Sequence, residues 1–482
     1  MPVKNHRKAG SRTREKTTTK KKTAKATKTA KKPASAKATA DKKVTADRPV
    51  VKRSGKAPQL LRGMKDTLPA DEKYWDAIYG TIHRLAKSFG YGRIDTPILE
   101  ETGLFVRSVG KDTDIVGKEM YSFQNPSGEN ISLRPEATAS IARSYITHGM
   151  LNLPQPVKLW YWGPMFRHDR PQSGRYRQFY QFGFEALGEE SPVVDAQLIV
   201  VVTDFFKELG LPITVQVNSL GTPESRQTYK TELVSYYRSR RGQLCDDCKK
   251  RLNKNPLRLL DCKEEGCQAI RNEAPQIVDW LDDASKNHFM KVLEALDEAE
   301  VPYVLNPFLV RGLDYYTRTV FEIWSEGDED ETRQIALGGG GRYDLLVEML
   351  GGRPTPACGF AIGVERVINK LKAEEIAVPE TPVPEIFFAQ LGEQARIKSL
   401  SLFEDFRKAG IPLAEAFSKE SLKAQLEIAN KLKVKYALIL GQKEVLDGTI
   451  LIRDMEAGIQ EIVDQKKIVR EVQKKLGVPA QE

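Results

Sequence analysis

Along this chain, large apolar positions are sparse in the first stretch and strongly periodic after about residue 60. Trp75, Ile78, Ile82 and Leu85 recur at spacings of three and four, which predicts an amphipathic helix over 69–89 with one stripe for a core. A short strand leading to Pro97 follows. Residues 120–123 and 131–133 alternate as two strands joined by a polar turn, and a helix begins near Pro135 with Glu136 and Thr138 in its first turn. A first-turn glutamate is favoured by the helix dipole, so capping alone accounts for Glu136.

The stretch VKLWYWGPMFRHDRPQSGRYRQFYQFGFEALG predicts aromatic-rich strands over 158–167 and 177–186, enclosing an arginine-dense loop that turns at Gly174. In the second strand Tyr180, Phe182 and Phe184 share one face, while Phe179, Gln181, Gly183 and Glu185 share the other. The first face asks for a core. A glutamine and a carboxylate beside a glycine ask instead for a binding site.

Further on, 193–240 predicts helix, strand (ITVQVNSLG) and helix, and 269–299 is helical. Then comes LVRGLDYYTRTVFE at 309–322, whose end, TVFEIW, is apolar enough for a buried strand, and after a charged gap the run Gly338 to Gly341. Four successive glycines give up side-chain packing, which marks close approach of the backbone to a flat or phosphorylated ligand. CGFAIGVERVINKLK is a small-residue strand feeding a helix with Arg366 in its first turn. A cation there opposes the dipole and asks for an anion nearby. The proline-bearing linker at 379–385 separates this body from 386–482, which alternates strand and helix as a small α/β domain.

At 482 residues the length allows about two to four domains. The net charge of +10 is unevenly spread: residues 1–57 hold 20 Lys or Arg against 3 acidic residues, a net of +17, which leaves −7 for the rest. The tail is Lys, Ala, Thr and Pro, predicts disorder, and would add salt-sensitive affinity for RNA or DNA. Apolar runs fall short of the roughly 20 residues a membrane helix needs, so a soluble, cytoplasmic protein with no membrane partner is expected. Cys245, Cys248, Cys262 and Cys267 are spaced C-x2-C-x13-C-x4-C, which offers four thiolates to a tetrahedral zinc. The second pair is looser than a typical knuckle, so reduced structural cysteines are the favoured reading and no metal is assigned.

Five stretches together, RGMKDTLP from Arg62, LRPEATA from Leu133, FRHDRPQSGRYRQF from Phe166, RGLDYYTRTVFE from Arg311 and ALGGGGRYD with GFAIGVER from Ala336 and Gly359, carry a resemblance. Over residues 58–475 the chain resembles the bacterial-type histidyl-tRNA synthetases, class II aminoacyl-tRNA synthetases, and RGLDYY is specific to the histidine members. The resemblance implies an α+β fold: a class II antiparallel sheet flanked by helices over 58–378, a helical insertion near 220–300, and a C-terminal α/β anticodon-binding domain. It implies a homodimer built partly by the region leading to Pro97. It also implies ATP and Mg2+, with L-histidine and tRNA(His) as partners, and a two-step transfer through histidyl-adenylate.

By the same resemblance, Arg167 and Arg311 are catalytic and grip the α-phosphate and carboxylate, while Arg175 and Arg366 hold the distal phosphates. Glu136, Thr138 and Gln181 hold the amino acid's α-amino and carboxylate groups. Glu185 and Tyr316, with Tyr315 beside it, select the imidazole, and Arg170 and Gln172 meet the acceptor end of the tRNA. Catalytically silent relatives, which regulate histidine biosynthesis or sense uncharged tRNA, generally lack the anticodon domain and part of RGLDYY; both are present here.

Overall fold

The apolar stripe predicted near the start of the body packs as a helix, Glu72–Ser88, entered through a 3-10 turn at Pro69–Asp71 where the proline forfeits no hydrogen bond. The computed structural model describes residues 57–111, 113–169, 174–326, 336–380 and 383–477. Residues 60–482 make up one unit; of the unit before it, only 57–59 are described, so the disorder expected of the tail lies outside the described residues. No helix among the described residues is long and apolar enough to cross a membrane.

The body is organised on an eight-stranded sheet in the spatial order Gly92–Arg93, Val157–Phe166, Gln178–Leu187, Ala357–Gly363, Gly338–Arg342, Thr317–Ser325, Ile213–Ser219, Tyr303–Leu305. The six central strands are antiparallel; only the two edge pairings are parallel. Strand alternation gives the sheet two unlike faces. On one, Phe182, Phe184, Phe360, Ile362, Phe321 and Val217 form a core with the helices Glu72–Ser88, Pro192–Glu208, Asp283–Glu298 and Val364–Ala373. The other face is described below.

A buried polar cluster fixes one end of the glycine strand. At a bulge between Gly341 and Arg342, where Gly341 adopts φ +150°, Arg342 turns fully inward. Its guanidinium donates to both oxygens of Asp195, to the carbonyls of Glu189 and Ser191, and to Asp344, while His288 meets Asp195 at 2.8 Å. Burial disfavours the Asp195 charge, yet Arg342 and His288 hold its carboxyl below the ordinary range. Tyr343, the next residue, is thereby anchored.

The helical stretch expected over 269–299 is interrupted. Pro275 has no N–H to donate, so the chain runs as helix Glu265–Asn272, a 3-10 turn at Ile277–Trp280, and helix Asp283–Glu298 capped by Asp282. Beyond the linker, a five-stranded sheet runs Leu413–Glu415, Ile386–Gln390, Tyr436–Leu440, Thr449–Asp454, Gln460–Asp464, parallel on one side of the Tyr436–Leu440 strand and antiparallel on the other. Its first strand is only three residues long and its last is mostly polar, so neither has an apolar alternation to betray it.

Candidate active site

The open face of the large sheet carries a cavity of about 330 Å³, a usual size for small-molecule binding. Its floor is one cross-strand row. Tyr161 lies opposite Gly183, Gly183 opposite Ala361, Ala361 opposite Gly339, and Gly339 opposite Glu322. All five point to this face, so three neighbouring strands offer almost no bulk between an aromatic ring and a carboxylate. The glycines also answer to the protein itself: a Cβ at Gly339 would stand 2.7 Å from Arg311 Nη1, and one at Gly359 would stand 1.6 Å from Glu185 Oε2.

Among the residues singled out from the sequence, Glu136, Thr138, Arg167, Arg175, Gln181, Arg311, Tyr315, Tyr316 and Arg366 all line this cavity. Arg170 and Gln172 lie outside the described residues. Glu185 does not itself line the cavity: 1% exposed, it lies behind two residues that do, held by the Thr138 hydroxyl at 2.7 Å and the Tyr343 hydroxyl at 2.5 Å. Burial, with the neighbouring Glu136 adding to it, pushes its carboxyl up to about 8. Glu136 also acts as the cap expected of it: its oxygens accept from the N–H groups of Thr138 and Ala139 at 2.6 and 3.0 Å, at the start of helix Thr138–Thr147. Tyr315 packs on Tyr316 at 4.8 Å and edge-on to Tyr343 at 5.7 Å.

Five arginines, Arg167, Arg175, Arg258, Arg311 and Arg366, and Lys263 supply the cavity's positive charge. Arg311 pairs with Glu322 at 2.5 Å and lies over the Tyr316 ring at 5.4 Å; burial alone would weaken its charge, but Tyr316 and Glu322 hold its pKa raised. Arg167 donates to the Pro135 carbonyl at 2.8 Å, and Arg175 pairs with Asp169 at 2.9 Å. Arg366 donates to the Ala336 and Gly174 carbonyls, and burial, reinforced by Arg175 and Arg167, lowers its pKa to about 10. An anion among these three would relieve that repulsion. Beside it, burial raises Glu365 to about 7 while its carboxylate accepts both ways from the Tyr180 N–H.

Several lining atoms are buried without a hydrogen-bond partner among the described residues: Gln181 Oε1, Tyr161 Oη, Trp324 Nε1 and the Nε atoms of Arg175 and Arg311. Each costs about 1–3 kcal/mol if left dry, so the cavity is built for a polar occupant.

Residues that sequence reasoning did not single out also belong here. Glu322 had a signal, a carboxylate inside an apolar strand. Tyr343 had only its place after the glycines. Arg258, Asp261 and Lys263 line the cavity from the 3-10 turn Pro256–Leu259 and the residues just after it, and no local pattern marks them.

An antiparallel sheet with helices behind it and an arginine-walled, glycine-floored cavity in front is the catalytic architecture of the class II aminoacyl-tRNA synthetases. Known proteins make the class specific. The family model described as histidyl-tRNA synthetase matches residues 63–224 and 247–367, and that described as anticodon binding domain matches 386–475. A histidine–tRNA ligase of Dehalococcoides mccartyi is 46% identical over 416 residues, 86% of this chain and 99% of the relative. One of Pelotomaculum thermopropionicum is 43% identical over 416 residues, 86% and 97%. The crystal structure of apo Staphylococcus aureus histidyl-tRNA synthetase, 34% identical, superposes with a TM-score of 0.71 over 86% of this chain and 99% of that one. The chain belongs to the histidyl-tRNA synthetase family.

Proposed function

We propose that this protein is a histidine–tRNA ligase in which the cavity described above performs both half-reactions. The carboxylate of L-histidine attacks the α-phosphorus of ATP, the bond to pyrophosphate breaks, and histidyl-adenylate forms. A hydroxyl of the terminal ribose of tRNA(His) then attacks the activated carbonyl and AMP departs. Such chemistry depends on positioning and charge neutralisation. We assign Arg311 and Arg167 to the α-phosphate and the carboxylate, and Arg175 and Arg366 to the distal phosphates. The single observation that carries the reading is the convergence of these four arginines on one cavity that the buried carboxyl of Glu136 also lines, in a chain of this family.

Histidine is selected by what its ring offers. Glu185 and the Tyr316 hydroxyl can serve an imidazole's donor and acceptor together, with Thr138 and Tyr343 fixing the carboxyl in place. A side chain lacking those groups leaves buried polar atoms unpaired, which costs several orders of magnitude without any editing. Gln181 and the remaining lone pairs of Glu136 take the α-amino group. Mg2+ fits the same site: it is bound largely through ATP's own phosphates and water, and Glu322 and Asp261, close enough for Asp261 to raise the Glu322 carboxyl beyond the effect of burial, would complete its shell. The ion would supply charge neutralisation on the phosphates.

The anticodon-type domain binds tRNA(His), and Arg170 and Gln172 meet its acceptor end. The protein works in the cytoplasm as a homodimer, for which Ile98, Leu99 and Phe123, each 40–48% exposed, offer an apolar patch. Histidine-dependent pyrophosphate exchange, followed by aminoacylation with each of the twenty amino acids, tests the assignment. Absence of exchange with ATP and magnesium would refute it in favour of a catalytically silent relative.

A further inference from the structure

The folded chain gathers Cys245, Cys248, Cys262 and Cys267 so that their four Sγ atoms all lie within 4.8 Å of one another. None is in a disulfide, and three of the four side chains are buried. Sulfurs at the corners of a tetrahedron around zinc, with bonds of about 2.3 Å, lie about 3.8 Å apart. Cys245 and Cys262 are already at 3.9 Å. The looser C-x4-C spacing of the second pair, which made the sequence ambiguous, is taken up by the fold: Cys262 follows the 3-10 turn Pro256–Leu259, and Cys267 enters from helix Glu265–Asn272.

Backbone donors are aimed at the sulfurs as a thiolate cluster requires. The Cys248 N–H points to Cys245 Sγ at 3.4 Å, where Cys245 caps helix Asp246–Lys254, and the Cys245 N–H points to Cys267 Sγ at 3.3 Å. Such donors spread the charge that four thiolates leave on a divalent ion. Leu244, Leu252, Leu259, Leu260 and Ile270 belong to the same apolar core as Cys248, Cys262 and Cys267, with the half-buried Cys245 packed against it.

We propose that these four cysteines bind one structural zinc ion, and that the ion positions a wall of the active site. Cys262 stands between Asp261 and Lys263, both of which line the substrate cavity, and Asp261 pairs with Arg258, a third lining residue, at 2.9 Å. A metal that pins Cys262 therefore pins all three. The metal site stands independently of the enzymatic assignment; only its effect on turnover rests on that assignment.

The test uses the full chain purified without chelator. Elemental analysis gives about one zinc per chain, and a mercurial thiol reagent releases it as four thiols react. Cobalt(II) in its place gives the intense absorption of a tetrahedral tetrathiolate centre. Cys262→Ser and Cys248→Ser lose the metal, while Cys358→Ala, on the helix-covered face of the large sheet, keeps it. Stripping the metal lowers histidine-dependent exchange ten- to about a hundredfold, the penalty of shifting a site wall by about 1 Å. Wild-type protein with less than about 0.1 metal per chain, iron in place of zinc, or zinc that persists undiminished in both serine variants would overturn the proposal. Because metal content and the cobalt spectrum are read without turnover, a failure here is distinct from a failure of the ligase assignment.

Discussion

Adding one methyl group at Gly359 tests how tightly the floor of the cavity is specified. In Gly359→Ala the new Cβ would stand 1.6 Å from Glu185 Oε2, 2.6 Å from its Cδ and 2.7 Å from the Phe184 carbonyl oxygen, where contacts under 3.0 Å force something to shift. The carboxylate must retreat by at least 1.4 Å, the difference between 3.0 and 1.6 Å. It cannot do so while keeping bonds of 2.5 Å to Tyr343 and 2.7 Å to Thr138. Leaving a buried hydrogen-bonding group unpaired costs about 1–3 kcal/mol, and overpacking a filled interior about 1–3 kcal/mol. We expect a loss of about 3–5 kcal/mol in urea unfolding and, because we assign the same carboxyl to selection of the substrate ring, a rise of about a hundredfold in KM for histidine in pyrophosphate exchange. Glu185→Ala combined with Gly359→Ala removes the clash with the carboxyl, leaving only the contact with the Phe184 carbonyl, so the two stability losses should fall short of additive. Gly92→Ala, whose nearest neighbour would be the Lys158 carbonyl oxygen at 3.8 Å, serves as the control within about 0.5 kcal/mol. Unchanged stability and KM in Gly359→Ala would refute the packing argument.

Arg311→Ala should lower adenylate formation by about 10²–10³ and, by leaving Glu322 buried without its partner, cost about 3–5 kcal/mol in stability. Adding Glu322→Gln should restore the stability without restoring the rate; recovery of both would remove Arg311 from the chemistry. Glu185 should shape the pH dependence of the substrate-free protein. Its carboxyl sits at about 8 against an ordinary 4.5, so the folded state holds the proton more tightly than the unfolded chain. That contribution is complete below the unfolded value and lost as pH rises through the folded one. Stability of the wild type relative to Glu185→Gln should therefore fall between about pH 5 and 8, and parallel unfolding curves for the two would contradict it. Deleting residues 1–57 should leave adenylation intact and flatten the salt dependence of RNA binding; an unchanged salt slope would exclude the tail as an RNA contact.

Much of this protein was legible in its sequence, for a local reason: side-chain direction repeats every 3.6 residues in a helix and every two in a strand. That periodicity alone puts Gln181, Gly183 and Glu185 on one face and Phe182 and Phe184 on the other, and it gives Ile78, Ile82 and Leu85 their core. The motifs beginning at Arg62, Leu133, Phe166, Arg311, Ala336 and Gly359 identified the family. Register between distant strands leaves no local trace. Only the tertiary structure lines up Tyr161, Gly183, Ala361, Gly339 and Glu322 in one row. It also brings Tyr343 onto Glu185 across 158 residues of chain and carries Arg258 and Asp261 to the cavity. The four sulfurs make the same point, since the spacing along the chain left zinc unassigned while the folded chain brings all four within 4.8 Å of one another. Sequence determines which way each side chain faces, and folding determines what it faces, because the second depends on contacts that chain order does not encode.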